Sequence, residues 1–187
     1  MTKQQALELL HEKLQSPNLR KHCYAVGAVM KALAMRLDGD PEKWEVVGLL
    51  HDGDYEMTKS DPNKHTLLMH EWLKEKGETD EELLAAILSH NYVHTGQNPP
   101  ANKMEWALYC CDELTGFIIA VTLVRPEKRL SSVTLENVLK KWGEKDFAAA
   151  VKREQIEECD ARLGIPKNEF IEIALGAMQS ISEELGL

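Results

Sequence analysis

The sequence predicts an all-α fold. Apolar residues recur at three- and four-residue spacing along most of the chain, helix-start and helix-stop signatures bracket those stretches, and strand signals are weak. One run, Phe117-Ile118-Ile119-Ala120-Val121, has β-propensity. It lies inside a longer apolar stretch and reads as buried helix.

The elements follow in order. Residues 1–5 lead straight into an amphipathic stretch, without the apolar block and small-residue cleavage site of a secretory leader. A helix opens near Leu19; Val26, Val29, Met30 and Leu33 share one of its faces, and His22 stands near its start. Asp40-Pro41-Glu42 is a helix start, with Asp as N-cap and Pro in the first helical position. This helix runs through Trp44, Val47 and Leu50 and delivers His51 at its end. Asp61-Pro62 predicts a second start of the same kind, with Gly77 stopping the helix after Lys76. Thr79-Asp80-Glu81-Glu82 predicts a capping box for a helix ending near His90. A polar loop with two prolines spans residues 95–100. The most apolar helix runs from about Met104 to Val124, with Asp112 near its middle. Amphipathic helices around Val133–Trp142, Phe147–Leu163 and Pro166–Leu185 close the chain. One domain over residues 1–187 is the simplest reading, with the part beyond about residue 125 as a helical extension.

Composition narrows the function. Hydrophobic residues make up 43% of the chain and charged residues 28%, a globular balance. No unbroken apolar run reaches the roughly 18 residues of a membrane span, so a cytoplasmic protein with no membrane partner is expected. The net charge of −9 opposes binding to a nucleic-acid polymer, which depends on Lys and Arg neutralising phosphates. A small phosphorylated molecule stays compatible, because bound cations reverse the field locally. Cys23, Cys110, Cys111 and Cys159 show no CxxC spacing and read as small buried hydrophobes.

No GxSxG, GxxxxGK[ST], HExxH or GxGxxG motif is present. What remains is a set of polar residues on apolar helices. His51-Asp52 ends the apolar turn Val46-Val47-Gly48-Leu49-Leu50; alone, the pair reads as solvated helix-end residues. His22 and His90 stand at the polar ends of apolar helices, and Asp112 lies within an apolar one. An ionised Asp in such surroundings needs a counter-charge, and helical bundles build metal sites from side chains on facing helices. Asp54 and Glu56, just past the pair, either orient an attacking water, fix a ligand imidazole or are plain loop acids. Arg125, Lys128 and Arg129 either clamp a substrate phosphate or form a solvated loop. His94 is either a substrate contact or a loop histidine, and His11 and His70 read as surface residues.

The order His22, His51-Asp52, Asp112, with the setting Leu-Leu-His51-Asp52-Gly53, resembles the HD superfamily of metal-dependent phosphohydrolases. His65 and His90 match further ligands of its two-metal members. Asp54 stands where Ile is common, and Thr66 follows His65 where Pro is frequent. The resemblance implies an HD-domain helical bundle, the metal ligands His22, His51, Asp52, His65, His90 and Asp112, and a divalent metal, with two ions bridged by Asp52. Imidazole and carboxylate suit Mn, Fe, Co or Zn better than Mg. Asp52 and Asp54 are the catalytic candidates, and Arg125, Lys128 and His94 the substrate-binding ones. The expected activity is hydrolysis of a small phosphate ester such as a nucleotide. The alternatives are an HD-type di-iron oxygenase acting on a small polar substrate, and a non-catalytic regulatory module.

Overall fold

Side-chain caps decide where most of the longer helices begin. In the computed structural model, which describes residues 1–187, there are helices and turns and no strand. Thr2 and Gln5 form a reciprocal capping box on α1 (Lys3–Lys13). Ser16 caps α2 (Pro17–Arg36), with Pro17 in its first turn. Asp40 accepts from the amides of Glu42 and Lys43 to start α3 (Pro41–Leu50), and the short α4 (Tyr55–Thr58) follows the His51-Asp52 turn. After α5 (Leu67–Glu75), Asp80 caps α6 (Glu81–His90). The cap therefore lies one residue beyond the expected Thr79. The short α7 (Tyr92–Thr95) leads to α8 (Lys103–Leu123), which Asn102 caps. Thr134 and Asn137 form a second capping box on α9 (Leu135–Trp142). The chain closes with α10 (Arg153–Leu163), α11 (Lys167–Ser180) and α12 (Ser182–Leu185).

Two expected helices begin later than the sequence predicts, and tertiary contacts are the reason. Asp61 caps nothing; Pro62–Lys64 makes one 3-10 turn, and Thr66, at φ +70°, breaks the path before α5. The Asn91 amide holds this stretch by donating to the carbonyls of Pro62 (2.8 Å) and His65 (2.9 Å). The expected start at Phe147 moves to Arg153, because the Arg153 guanidinium donates to the carbonyls of Glu144 and Phe147 and fixes them in turns. The last expected helix divides at Ile181 into α11 and α12.

A continuous apolar core joins all the long helices. The residues after 125 are part of it: α10 packs on α8, and α11 packs on α2 and α8. By length and composition α8 could cross a membrane, yet 56% of its most apolar window is buried inside the protein. Its apolar faces form the centre of the bundle.

The tightest helix contact is between α2 and α3. A Cβ on Gly48 would lie 2.7 Å from Gly27 Cα, 2.8 Å from Gly27 N and 2.9 Å from Val26 C. These are backbone atoms and cannot move aside. Gly48→Ala should therefore push α2 from α3 at a cost of roughly 1–3 kcal/mol, seen as a Tm several degrees lower in thermal unfolding. Gly176→Ala on α11, where a Cβ meets nothing within 4 Å, should instead raise stability by up to about 1 kcal/mol. Equal responses from the two variants would refute the glycine contact.

Candidate metal centre

Six side chains from five segments meet at one end of the α2–α3–α8 core. Close α2–α3 packing sets His22 beside His51, their Nε2 atoms 3.2 Å apart. Asp112, from the middle of α8, places Oδ1 2.9 Å from His22 Nε2 and 3.6 Å from His51 Nε2. Asp52 lies between two groups of imidazoles. Its Oδ1 is 3.2 Å from His65 Nε2 and 3.2 Å from His90 Nε2. Its Oδ2 is 3.7 Å from His51 Nε2 and 3.8 Å from His22 Nε2. Gly53 follows because the Met69 sulfur fills the space where a Cβ would stand, 2.7 Å away.

Neighbouring groups fix the imidazole tautomers. His51 Nδ1 meets the Gly48 carbonyl at 2.7 Å. A carbonyl only accepts, so Nδ1 carries the hydrogen and Nε2 presents a lone pair. His65 Nδ1 likewise donates to Asp54 Oδ1 at 2.8 Å. His22 Nδ1 faces Thr115 Oγ1 at 3.3 Å, and that hydroxyl has its own hydrogen committed to the Asp112 carbonyl at 2.8 Å. Three imidazoles thus aim Nε2 lone pairs at one another and at two carboxylates. Bare lone pairs at such separations repel, and protons or a cation must lie between them.

The electrostatics agree. Burial raises the pKa of Asp52, but the charge of His51 and hydrogen bonds from His65 and His90 outweigh it and hold the carboxyl well below its usual range. Burial opposes ionisation of Asp112 too, and the His22 and His51 contacts overcome it. Burial lowers the His22 pKa, yet the Asp112 hydrogen bond and charge raise it to about 9; His65, against Asp52 and Asp54, also rises to about 9. His90 is lowered, chiefly by burial. Two persistent carboxylates among inward-facing imidazoles fit a divalent cation. The sets His22-His51-Asp112 and His51-Asp52-His90 each bring their ligand atoms within 4.8 Å of one another.

The remaining candidates divide. Asp54 is fully buried and accepts from the Met69 amide at 3.0 Å as well as from His65. It lies behind the His65 imidazole and does not line the cavity, so it orients that ring and does not face the cavity, where a catalytic residue was expected. Glu56 accepts from the Ser16 amide at 3.2 Å and ties down the start of α2. His94 lines the cavity. The expected basic clamp does not. Arg125 lies thirteen residues past Asp112, about 20 Å along the helix direction, and donates to Ser132 Oγ (3.0 Å) and Asn137 Oδ1 (2.9 Å). Lys128 is exposed on the same turn. Helix α8 carries both away from the site.

The cavity over the imidazoles has a volume of about 360 Å³, and Tyr55, Tyr109, Glu113, Val151, Lys152 and Gln155 help to line it. None of these emerged from the sequence. Glu113 beside Asp112 was the only detectable signal; residues 151–155 reach the site because α10 packs on α8.

A sequence model described as the HD domain matches residues 19–160. No curated protein and no solved structure matches the chain.

Two measurements test this geometry. Asp54→Asn removes the anion that orients His65 and should weaken Mn²⁺ binding about 10- to 100-fold in isothermal titration; an unchanged affinity would show that Asp54 does not support a ligand. His22 and His65, with pKa values raised to about 9, hold protons at pH 7.5, so a cation must displace them. Mn²⁺ affinity should accordingly rise with pH from 6.5 towards 9, with proton release visible as a dependence of titration heat on buffer ionisation enthalpy. A flat profile would contradict the assignment.

Proposed function

The chain belongs to the HD domain family, and on that basis, together with the geometry of the site, we propose that it is a metal-dependent phosphohydrolase acting on a small phosphate ester such as a nucleotide. The observation that carries this reading is the Asp52 carboxylate, whose two oxygens face separate pairs of imidazole nitrogens. That arrangement supports two ions, one held by His22, His51 and Asp112 and one by His65 and His90, with Asp52 shared. The N/O donor set favours Mn, Fe, Co or Zn over Mg. Held there, divalent ions would supply Lewis-acid activation of water and neutralise phosphoryl charge.

The chain's own residues prepare the site. Asp52 and Asp112 stay ionised and provide fixed negative charge where cations are needed. Gly48, Thr115 and Asp54 each hold an imidazole Nδ1 hydrogen, so Nε2 is the atom that each ring turns to a cation once any proton there is displaced. Tyr55 packs edge-on against His65 with ring centroids 5.7 Å apart and forms part of the cavity wall. The cavity suits a small molecule better than a polymer, consistent with the net charge of −9.

The same six ligands would serve a di-iron oxygenase, since imidazole and carboxylate suit iron equally. Metal analysis of protein purified without chelator, followed by a phosphate-ester panel with each metal, separates the two. Phosphate release with Mn²⁺, Co²⁺ or Zn²⁺ is expected. Oxygen consumption with Fe²⁺ and no phosphate release would favour the oxygenase. Asp52→Ala should lose metal and lower phosphate release by about three orders of magnitude, several kcal/mol of barrier. Full metal content and activity in that variant would overturn the assignment.

A further inference from the structure

Helix α8 turns Tyr109, Asp112, Glu113 and Gly116 to the cavity. Their spacing of three, one and three residues puts all four on one face of the helix. Asp112 belongs to the candidate metal centre; Glu113, the next residue, does not. Burial lowers the His22 pKa and the Asp112 and Asp52 contacts raise it, with the Glu113 charge adding to the rise. The Glu113 carboxylate therefore stands near the ligand cluster without being part of it.

One oxygen of Glu113 is held. Its Oε2 accepts from the Lys152 amide at 3.2 Å, which fixes the carboxylate against the start of α10. The other oxygen is free. Oε1 accepts from no protein donor, and it is not among the unpaired polar atoms sealed from solvent. No Lys, Arg or His nitrogen lies within 4.0 Å of either oxygen, the Lys152 ammonium included. Imidazoles surround Asp52 and Asp112, whereas Glu113 has no counter-charge in contact. A half-buried carboxylate so placed favours a cation brought by the ligand. Tyr55 and Tyr109 line the same cavity, and aromatic rings attract organic cations. At Gly116 a Cβ would meet nothing within 4 Å, so room remains on the helix face beside Glu113.

We propose that Glu113 is a specificity-determining residue whose Oε1 binds a protonated amine on the organic half of the substrate. The preferred ligand class is then an aminoalkyl phosphate ester, ahead of a simple alkyl phosphate. Such a substrate presupposes the phosphohydrolase reading, yet equilibrium binding tests it without turnover.

The full-length, Mn²⁺-loaded protein is titrated with 3-aminopropylphosphonate and 4-aminobutylphosphonate, and with butylphosphonate and pentylphosphonate, in which a methyl group replaces the ammonium. A methylene stands for the ester oxygen in all four, and the C–P bond resists hydrolysis. Wild type should bind at least one amino probe about 10-fold more tightly than its alkyl counterpart, the contribution of one charged hydrogen bond. Glu113→Gln keeps an oxygen for the Lys152 amide and removes the charge. It should abolish that preference while metal content and affinity for the alkyl probes do not fall. The wild-type comparison needs no variant and decides even where Glu113→Gln fails to fold. Equal wild-type affinity for amino and alkyl probes, an undiminished preference in Glu113→Gln, a parallel loss of all four affinities in that variant, or no probe bound by wild type would overturn the assignment. Absence of phosphate release from any ester while the preference holds would instead remove the phosphohydrolase reading and leave the Glu113 contact standing.

Discussion

The contact between Gly27 and Gly48 governs the site. With no Cβ on either residue, α2 and α3 approach until Gly48 meets backbone atoms. This close approach brings His22, five residues before Gly27, within 3.2 Å of His51, three residues after Gly48. Gly48 acts twice, since its carbonyl also receives the His51 Nδ1 hydrogen. One small residue thus fixes both the separation of two imidazoles and the tautomer of one.

Around that contact the protein gathers charges that are unfavourable to bury alone. Asp52 and Asp112 stay ionised only because imidazoles surround them, and His22 and His65 hold protons readily only because the carboxylates are there. Each group depends on the others, so the cluster is stable as a set and strained in fragments. The apolar core supplies the stability such a cluster lacks. Phe117 and Phe170 are among its largest fully buried side chains, and the core runs unbroken from α1 to α12.

The C-terminal third is integral to this arrangement. Helix α8 buries its apolar faces and still presents Asp112 and Glu113 to the cavity. Helix α10 packs on α8, and the segment before it brings Val151 and Lys152 over the site. The Arg153 guanidinium, by engaging the Glu144 and Phe147 carbonyls, stops a helix from forming early and turns that segment into a wall. The His/Asp cluster and the opposite face of the pocket therefore come from different parts of the chain.

The sequence by itself determined the helical class and most helix starts, and its resemblance to the HD superfamily marked six residues that meet at one centre. These features are local: Asp40-Pro41 caps its own helix, and His22, His90 and Asp112 stand out because a polar group on an apolar helix requires a partner. Tertiary structure alone decided the rest. Asp54 reads as a catalytic candidate or a plain loop acid until His65 and the Met69 amide are seen against it. Asp61-Pro62 has the form of a helix start, but Asn91 holds the Pro62 and His65 carbonyls. Arg125 and Lys128 follow the Asp112 helix in sequence, while its length carries them away, and Lys152 reaches the cavity through packing. Caps and periodicity act within a few residues and can be read from the chain; hydrogen bonds across many residues arise only once the helices have packed.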